Sequence, residues 1–477
     1  MKHLKLLYGV LCLIILSQPL LSQEKTSRRF PNSPTGNAAE ALLNMLEEKD
    51  DTVTNAFIKE KISPDLLKAY SNEEWLAMLQ ELQAELQNFQ VTGLRKTGEF
   101  SVEMRVETKP AQEQFTLMFD VEAEPPHRFT SINIESGEPS EEAPFASFEE
   151  MEQYLQDAVK THAFSGAVLV AKNGEAIYKG AFGLASKRYK VPNQIDTKFN
   201  IGSLNKMFTG VAILQLAEKG KLKLDDPIAK YLPDFPPDVA NKVTIRHLLQ
   251  HSSGWGHYWQ NEQYLNNWID LRKISDYMAF IKDIPLDFEP GTDRQYSNTG
   301  YQVLGGIIES ASGQDYYEYI RQHIYQPANM KNSDAYEMDD PVENLATGYT
   351  NSSPYGPSEG YQRNNVYLHS AKGTAAGGGF STVDDLLNFL NALRDHQLIS
   401  RANTNLYYNR FRPVTEDNFQ PRGAIGKAGG APGINAGIEI DFDLGLTVII
   451  LSNYDPPVAT KTARMVMQMA AELDNES

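Results

Sequence analysis

Two pairs of strand-like segments, far apart in the chain, limit what its larger part can fold into. Phe164 to Ala171 and Glu175 to Gly180 flank Asn173-Gly174, a pair suited to a two-residue hairpin turn. Ala436 to Phe442 and Leu446 to Asn453 flank Asp443-Leu444-Gly445, and a last helix is expected from about Ala459 to Leu473. The sequence between the pairs is mainly helical in period. Strands at both ends of a helical stretch predict that those ends meet in one antiparallel sheet, with the helical part held in the connection. The fold class expected is α+β.

Upstream lies a second pattern. Helices are expected over Ala39 to Glu48, Val53 to Ile58 and Asn72 to Phe89, the last with Trp75, Met78, Leu79, Leu82 and Leu86 at helical spacing. Ser101 to Glu107, Gln114 to Val121 and Arg128 to Ile134 then alternate apolar and polar residues, as antiparallel strands with one wet face do. Helices followed by a meander predict a small α+β domain over residues 36–135, resembling the cystatin or NTF2 type in order, with no motif to carry either name. Residues 136–146, rich in Glu, Pro and Gly, read as a linker, and residues 147–477 as the second domain. A chain of 477 residues has room for both at ~150 residues per domain.

Lys2 and Lys5, the apolar run Leu6 to Leu16, Pro19 and Ser22 have the layout of a secretory signal peptide over residues 1–22, with cleavage expected near Ser22. A membrane anchor is the alternative, but the run is shorter than the ~20 residues a spanning helix needs. The expected protein is therefore periplasmic or secreted, with no stable membrane span after signal removal. Cys12, the single cysteine, lies inside the run, so the mature chain would have no disulfide, catalytic thiol or Cys-based zinc site. No metal centre is expected. Net charge is −18, and Gly36 to Glu150 alone carries 9 Lys/Arg against 24 Asp/Glu. That excess argues against nucleic acid and against an anionic membrane surface as partners.

Three short patterns could carry chemistry. Ser203-Leu204-Asn205-Lys206 precedes the apolar helix Met207 to Ala217, where residues three apart share a face and an ammonium can sit beside a hydroxyl. A serine at a helix start also lies where free N–H groups stabilise an oxyanion. The bland alternative is an N-cap serine followed by a surface lysine, and Ser22-Gln23-Glu24-Lys25 repeats the pattern without meaning. Tyr296-Ser297-Asn298 offers a phenol that acts as a base if lysine ammoniums lower its pKa from ~10, but Tyr70-Ser71-Asn72 repeats it letter for letter. Lys427-Ala428-Gly429-Gly430 opens the late strand region with a Gly-rich edge open to close backbone approach. Lys172-Asn173-Gly174 shows how cheaply that pattern arises.

Order and surroundings raise these fragments above chance. Phe199 through Met207, Thr244-Ile245-Arg246-His247-Leu248-Leu249 with His251-Ser252-Ser253-Gly254, Pro290-Gly291-Thr292 leading into Tyr296-Ser297-Asn298-Thr299-Gly300-Tyr301 with Leu304-Gly305, and Ala376 through Thr382 with Asp384-Asp385-Leu386 resemble one family. It is the β-lactamase-related serine hydrolases: class C β-lactamases, penicillin-binding proteins, D-amino-acid peptidases and esterases. The resemblance covers about Ala163 to Asn453. It implies a β-lactamase/transpeptidase-like domain, an antiparallel sheet plus a helical region, behind the small α+β domain.

It also implies roles. Ser203 is the nucleophile, Lys206 its proton partner, Tyr296 the general base and leaving-group acid, and Asn298 a substrate amide contact. Lys427 tunes Tyr296 and attracts a substrate carboxylate, while the backbone N–H groups of Ser203 and Gly430, beside Gly429, form the oxyanion hole. Where many relatives have Lys-Thr-Gly or His-Thr-Gly, this chain has Lys-Ala-Gly, which puts carboxylate-bearing substrates in doubt. The expected activity is hydrolysis of amides or esters, without cofactor, by an enzyme of esterase, D-aminopeptidase or DD-peptidase type. Its partners would be small-molecule, peptide or ester substrates, peptidoglycan fragments among them. A true class C-like β-lactamase and a catalytically idle peptidoglycan- or β-lactam-binding receptor remain as alternatives. His251 reads as part of a structural turn and Ser252 as a helix-end cap. Trp255, Tyr258 and Trp259 either line a cleft or are buried.

Overall fold

The computed structural model describes residues 30, 33–48, 50–67, 72–86, 89–96, 100–108, 114–136, 143–351, 362–412 and 421–476. The expected leader, Tyr70 and most of the expected linker lie outside them. The chain divides into two compact units, one made mostly of residues before Glu135 and one mostly of residues from there onward.

In the first unit, helices Pro34–Glu48, Asp51–Lys61, Pro64–Leu67 and Asn72–Glu85 precede four strands, Phe89–Lys96, Ser101–Thr108, Gln114–Val121 and Phe129–Ser136, which lie side by side in chain order. Leu42, Met45 and Leu46 are buried, as are Phe119 and Phe129, whose rings meet at 5.2 Å. One expectation is corrected here. The helix expected to run to Phe89 stops at Glu85, and a strand not foreseen follows. Gly93 holds a helix poorly, and β-branched Val91 and Thr92 favour an extended chain.

The second unit is built on a five-stranded antiparallel sheet in the order Ala424–Ala431, Ile434–Asp441, Leu446–Ser452, Gly166–Lys172, Glu175–Phe182. The ends of the unit do meet: Ile449 lies opposite Leu169 and Leu451 opposite Ala167. The strands' period of two sorts their side chains onto two faces. Ala167, Leu169, Ile438, Ile449 and Leu451 join the large helical core, whereas Val168, Val170, Val448 and Ile450 join Met151, Leu155, Ala463, Val466 and Met469 of the first and last helices. A strand covered on both faces reads as an unbroken apolar run, as Gly166–Lys172 does. Asn173 and Gly174 both take positive φ, 52° and 85°, as a tight hairpin of this type demands. The strand Ala424–Ala431 was not foreseen as a strand of its own.

Within the helical layer, Lys206–Glu218 is buried from Lys206 through Leu216 on every side. Phe208 meets Tyr325 and Phe389 edge-on at 5.2 and 4.9 Å, which fixes this helix in rotation and depth. The helix that follows Ser203 is thus enclosed along nearly its whole length, and its N-terminal end lies beside the edge strand Ala424–Ala431.

Candidate active site

Ser203 sits in a single 3₁₀ turn, Gly202–Asn205, that feeds directly into the buried helix. Gly202 has φ 52°, and a Cβ there would come within 2.8 Å of the Gly430 nitrogen. A Cβ on Gly429 would come within 2.0 Å of the Ile201 carbonyl oxygen and 3.0 Å of the Ser203 nitrogen. The Gly-rich strand therefore runs against the Ser203 backbone, bringing the Ser203 and Gly430 amides together at one spot.

Lys206 lies one turn on. Its Nζ donates to Ser203 Oγ at 3.1 Å, to Asn298 Oδ1 at 2.7 Å and to the Ala376 carbonyl. Burial pushes it down from 10.5 to about 7, and among the described residues no carboxylate bonds to it to hold the charge. The Tyr296 ring is 4.8 Å from Nζ and that of Tyr301 5.4 Å.

Tyr296 approaches Ser203 from the other side, its hydroxyl donating to Oγ at 2.7 Å. Ser297 caps the following helix, Asn298–Ser312, by accepting the Gly300 N–H at 2.8 Å, so Asn298 starts that helix with its amide aimed at Lys206. One sequence expectation changes: burial raises the Tyr296 phenol above its ordinary 10, offset only in part by its bond to Ser203, and no lysine lowers it. With its proton retained, the Tyr296 hydroxyl is a donor to Ser203, whereas Lys206 lies near its titration point at neutral pH.

Lys427 lies further along the strand, its Nζ over the Tyr407 ring at 5.3 Å. Burial, helped by the nearby Arg410 guanidinium, pushes it down to about 8. Its charge is felt at His251 rather than at Tyr296. Arg410 in turn lowers Arg294 to about 10, after burial, so three cations gather at this end of the site. Sequence reasoning missed Arg410 and Arg294, which belong to no motif.

His251 has φ 61° and accepts the Ser297 N–H at Nδ1, 3.2 Å, with its ring 4.7 Å from that of Tyr296. Burial foremost, then the Lys206 and Lys427 charges, push it down to about 3, so it is a neutral wall behind the tyrosine. His247, four residues earlier, is used in its own helix cap, and the two rings do not form a ligand pair. Trp255 is fully buried, its Nε1 donating to the Ile284 carbonyl at 3.0 Å, and Tyr258 is buried too. Trp259 is exposed and stacks on His257 at 4.7 Å. His257 was also missed; it meets Asn298 Nδ2 at 3.1 Å. Lys172 of the decoy KxG pattern pairs with Asp474 at 2.6 Å, far along the sheet.

Comparison with known proteins identifies the family of the second unit. The family model named Beta-lactamase matches residues 151–471. Penicillin-binding protein 4* of Bacillus subtilis is 32% identical over 332 residues, 63% of this chain and 71% of that protein. Esterase EstB of Burkholderia gladioli is 30% identical over 275 residues, 51% of this chain and 69% of its own. Among solved structures, a penicillin binding protein from Bacillus halodurans superimposes with a TM-score of 0.57 at 25% identity, over 68% of this chain and 98% of that one. The chain belongs to the β-lactamase family of serine hydrolases.

Proposed function

We propose that the protein is an exported hydrolase that acts on esters or amides, of esterase, D-aminopeptidase or DD-peptidase type, through an acyl-enzyme on Ser203. The observation that carries this reading is the convergence of Lys206 Nζ and the Tyr296 hydroxyl on Ser203 Oγ, at 3.1 and 2.7 Å. A lysine near pKa 7 is half neutral at physiological pH, where a general base works best. Ser203 Oγ attacks the substrate carbonyl carbon as its proton passes to Lys206. The carbonyl oxygen gains the negative charge between the Ser203 and Gly430 amides. As the tetrahedral centre collapses, the Tyr296 hydroxyl gives its proton to the leaving oxygen or nitrogen, and the Lys206 ammonium restores it. Water then repeats the attack on the ester, and Ser203 recovers its proton as it leaves. No step calls on a metal or an organic cofactor.

Export is supported by the leader-like pattern of residues 1–22, which would direct the enzyme to the periplasm or out of the cell. A DD-peptidase or β-lactamase variant of the reading has one observation in its favour. Ala428 lacks the hydroxyl that holds a substrate carboxylate in Thr-bearing relatives, but Lys427, Arg410 and Arg294 gather positive charge at that end. Treating the protein and Ser203→Ala with a fluorophosphonate probe and with a fluorescent penicillin, then locating the adduct by peptide mass, tests both. Fluorophosphonate should label wild type at Ser203 and leave the variant unlabelled. Penicillin labelling at Ser203 selects the peptidase or lactamase branch, and its absence the esterase branch. An adduct at another residue, or equal labelling of the variant, overturns the nucleophile, and no labelling by either probe favours an idle receptor.

A further inference from the structure

We propose that His257 is a positioning residue for the proton transfer: its Nδ1 lone pair sets the orientation of the Asn298 amide, and through that amide keeps the lone pair of neutral Lys206 turned toward Ser203. The inference rests on the reading of Lys206 as proton acceptor and deepens it.

Lys206 Nζ has three hydrogen-bond neighbours: Ser203 Oγ, Asn298 Oδ1 and the Ala376 carbonyl. The last two are carbonyl oxygens and can only accept. A neutral amine has two N–H bonds and one lone pair. The ammonium donates to all three, and with both N–H bonds of the neutral amine kept on the two carbonyls, the proton given up is the one donated to Ser203 Oγ, which leaves the lone pair facing that hydroxyl, the polarity that proton removal needs. Rotating the Asn298 amide by half a turn would set its NH₂ against Nζ. That group would claim the lone pair and leave a lysine N–H aimed at Ser203.

Nothing steric forbids the rotation, since the two ends of a primary amide are nearly alike in size. The difference is made at the far end, where Asn298 Nδ2 meets His257 Nδ1 at 3.1 Å. Nδ2 only donates, so Nδ1 accepts and the imidazole proton resides on Nε2. Trp259 holds the ring in plane, stacked at 4.7 Å and 7°. The titratable and charged groups around it are Lys206, His251 and Tyr296, with the Asp287 carboxylate bordering Gly256. Burial and the Lys206 charge keep His257 below its ordinary 6.5, so it is neutral where the enzyme works. Once protonated, it would present N–H at Nδ1 and compete with Lys206 for the single Oδ1.

Two protons should therefore switch the site off in sequence as pH falls, first on Lys206 at about 7 and then on His257. The test is hydrolysis of a neutral nitrophenyl ester by wild type, Ser203→Ala, His257→Phe and His257→Asn from pH 4.5 to 8. Phenylalanine keeps the stacking ring and removes the acceptor, and asparagine returns an acceptor near Nδ1. In wild type, log kcat/KM should fall with a slope of about one below pH 7 and about two below the His257 pKa. His257→Phe should lose about 10- to 100-fold in kcat with KM nearly unchanged, as an interaction used in the transition state does. His257→Asn should recover to within about fivefold, with an acid slope of about one. The proposal is overturned if wild type keeps a slope of one throughout while Ser203→Ala is inactive, or if folded His257→Asn is as impaired as His257→Phe. Should His257→Phe fail to fold, the acid slope of His257→Asn decides alone. Ser203→Ala turning over at the wild-type rate would overturn the underlying reading as well.

Discussion

In the proposed mechanism, a lysine that burial lowers to about 7 sets the sign of the response to pH expected of the enzyme. Lys206 is lowered by burial to about 7, and in that mechanism it accepts a proton only when neutral, so activity should be present above that value and lost as pH falls through it. Tyr296 is raised above 10 and keeps its proton throughout the working range. A neutral ester should therefore show kcat/KM rising through pH 7 to a plateau, with no fall before about pH 9. An anionic ester should add a decline near pH 8, where Lys427 loses its charge. Stopped-flow rates for the two esters check this, and a neutral ester that slows between pH 7 and 9 contradicts it. At this scale the sequence was informative where chemistry is local. Ser203 and Lys206 share one helical turn, and Asn298 follows a serine that caps its helix, so spacing made them candidates, and the resemblance to the family, not the spacing, supplied their roles. His257, Arg410 and Arg294 could not be found that way. Each reaches the site from a loop or helix end whose position depends on packing elsewhere, and a lone histidine or arginine in a loop has no period to betray it.

The strand Ala424–Ala431 illustrates the same limit for a whole element. Its neighbours Ile434–Asp441 and Leu446–Ser452 are apolar enough to read as strands, but Gly426, Gly429, Gly430 and three alanines leave no alternation to see. The reason is steric: the strand passes so close to Ile201 and Ser203 that side chains cannot stand between them. Gly429→Ala would push a methyl group to 2.0 Å from the Ile201 oxygen, and the strand must move away with the Gly430 amide. The expected result is a loss of about 10²- to 10³-fold in kcat, the usual effect of removing one oxyanion donor. Circular dichroism should remain that of wild type, since Ala428 and Ala431 show the strand itself accepts alanine. Full activity in this variant would mean that the Gly430 amide takes no part. The turn Asn173-Gly174, by contrast, was legible because its own two residues set its shape.

For the molecule as a whole, the second unit begins a little earlier than its first helix. Ser147 caps Phe148–Lys160, but Phe145 ahead of it is buried at 4% exposure against the outer face of the sheet, its ring 5.4 Å from Tyr154. A fragment beginning at Ala143 should fold and hydrolyse a small ester. One beginning at Ser147 should be less stable by about 2–3 kcal/mol, the burial of one phenylalanine, a difference that thermal unfolding resolves. Equal melting temperatures would show that Phe145 contributes nothing, and a folded but inactive longer fragment would show that the first unit is needed for turnover. The pairing of Gly166–Lys172 with Leu446–Ser452 also carries a consequence in time. At ~5–20 residues per second, the first of these strands leaves the ribosome roughly a quarter of a minute to a minute before its partner exists. Until then the sheet has no centre, the Gly-rich strand has nothing to lean on, and Ser203 has no oxyanion site. The proposed active centre is therefore absent from the nascent chain, and its chemistry can begin only when the last strands arrive.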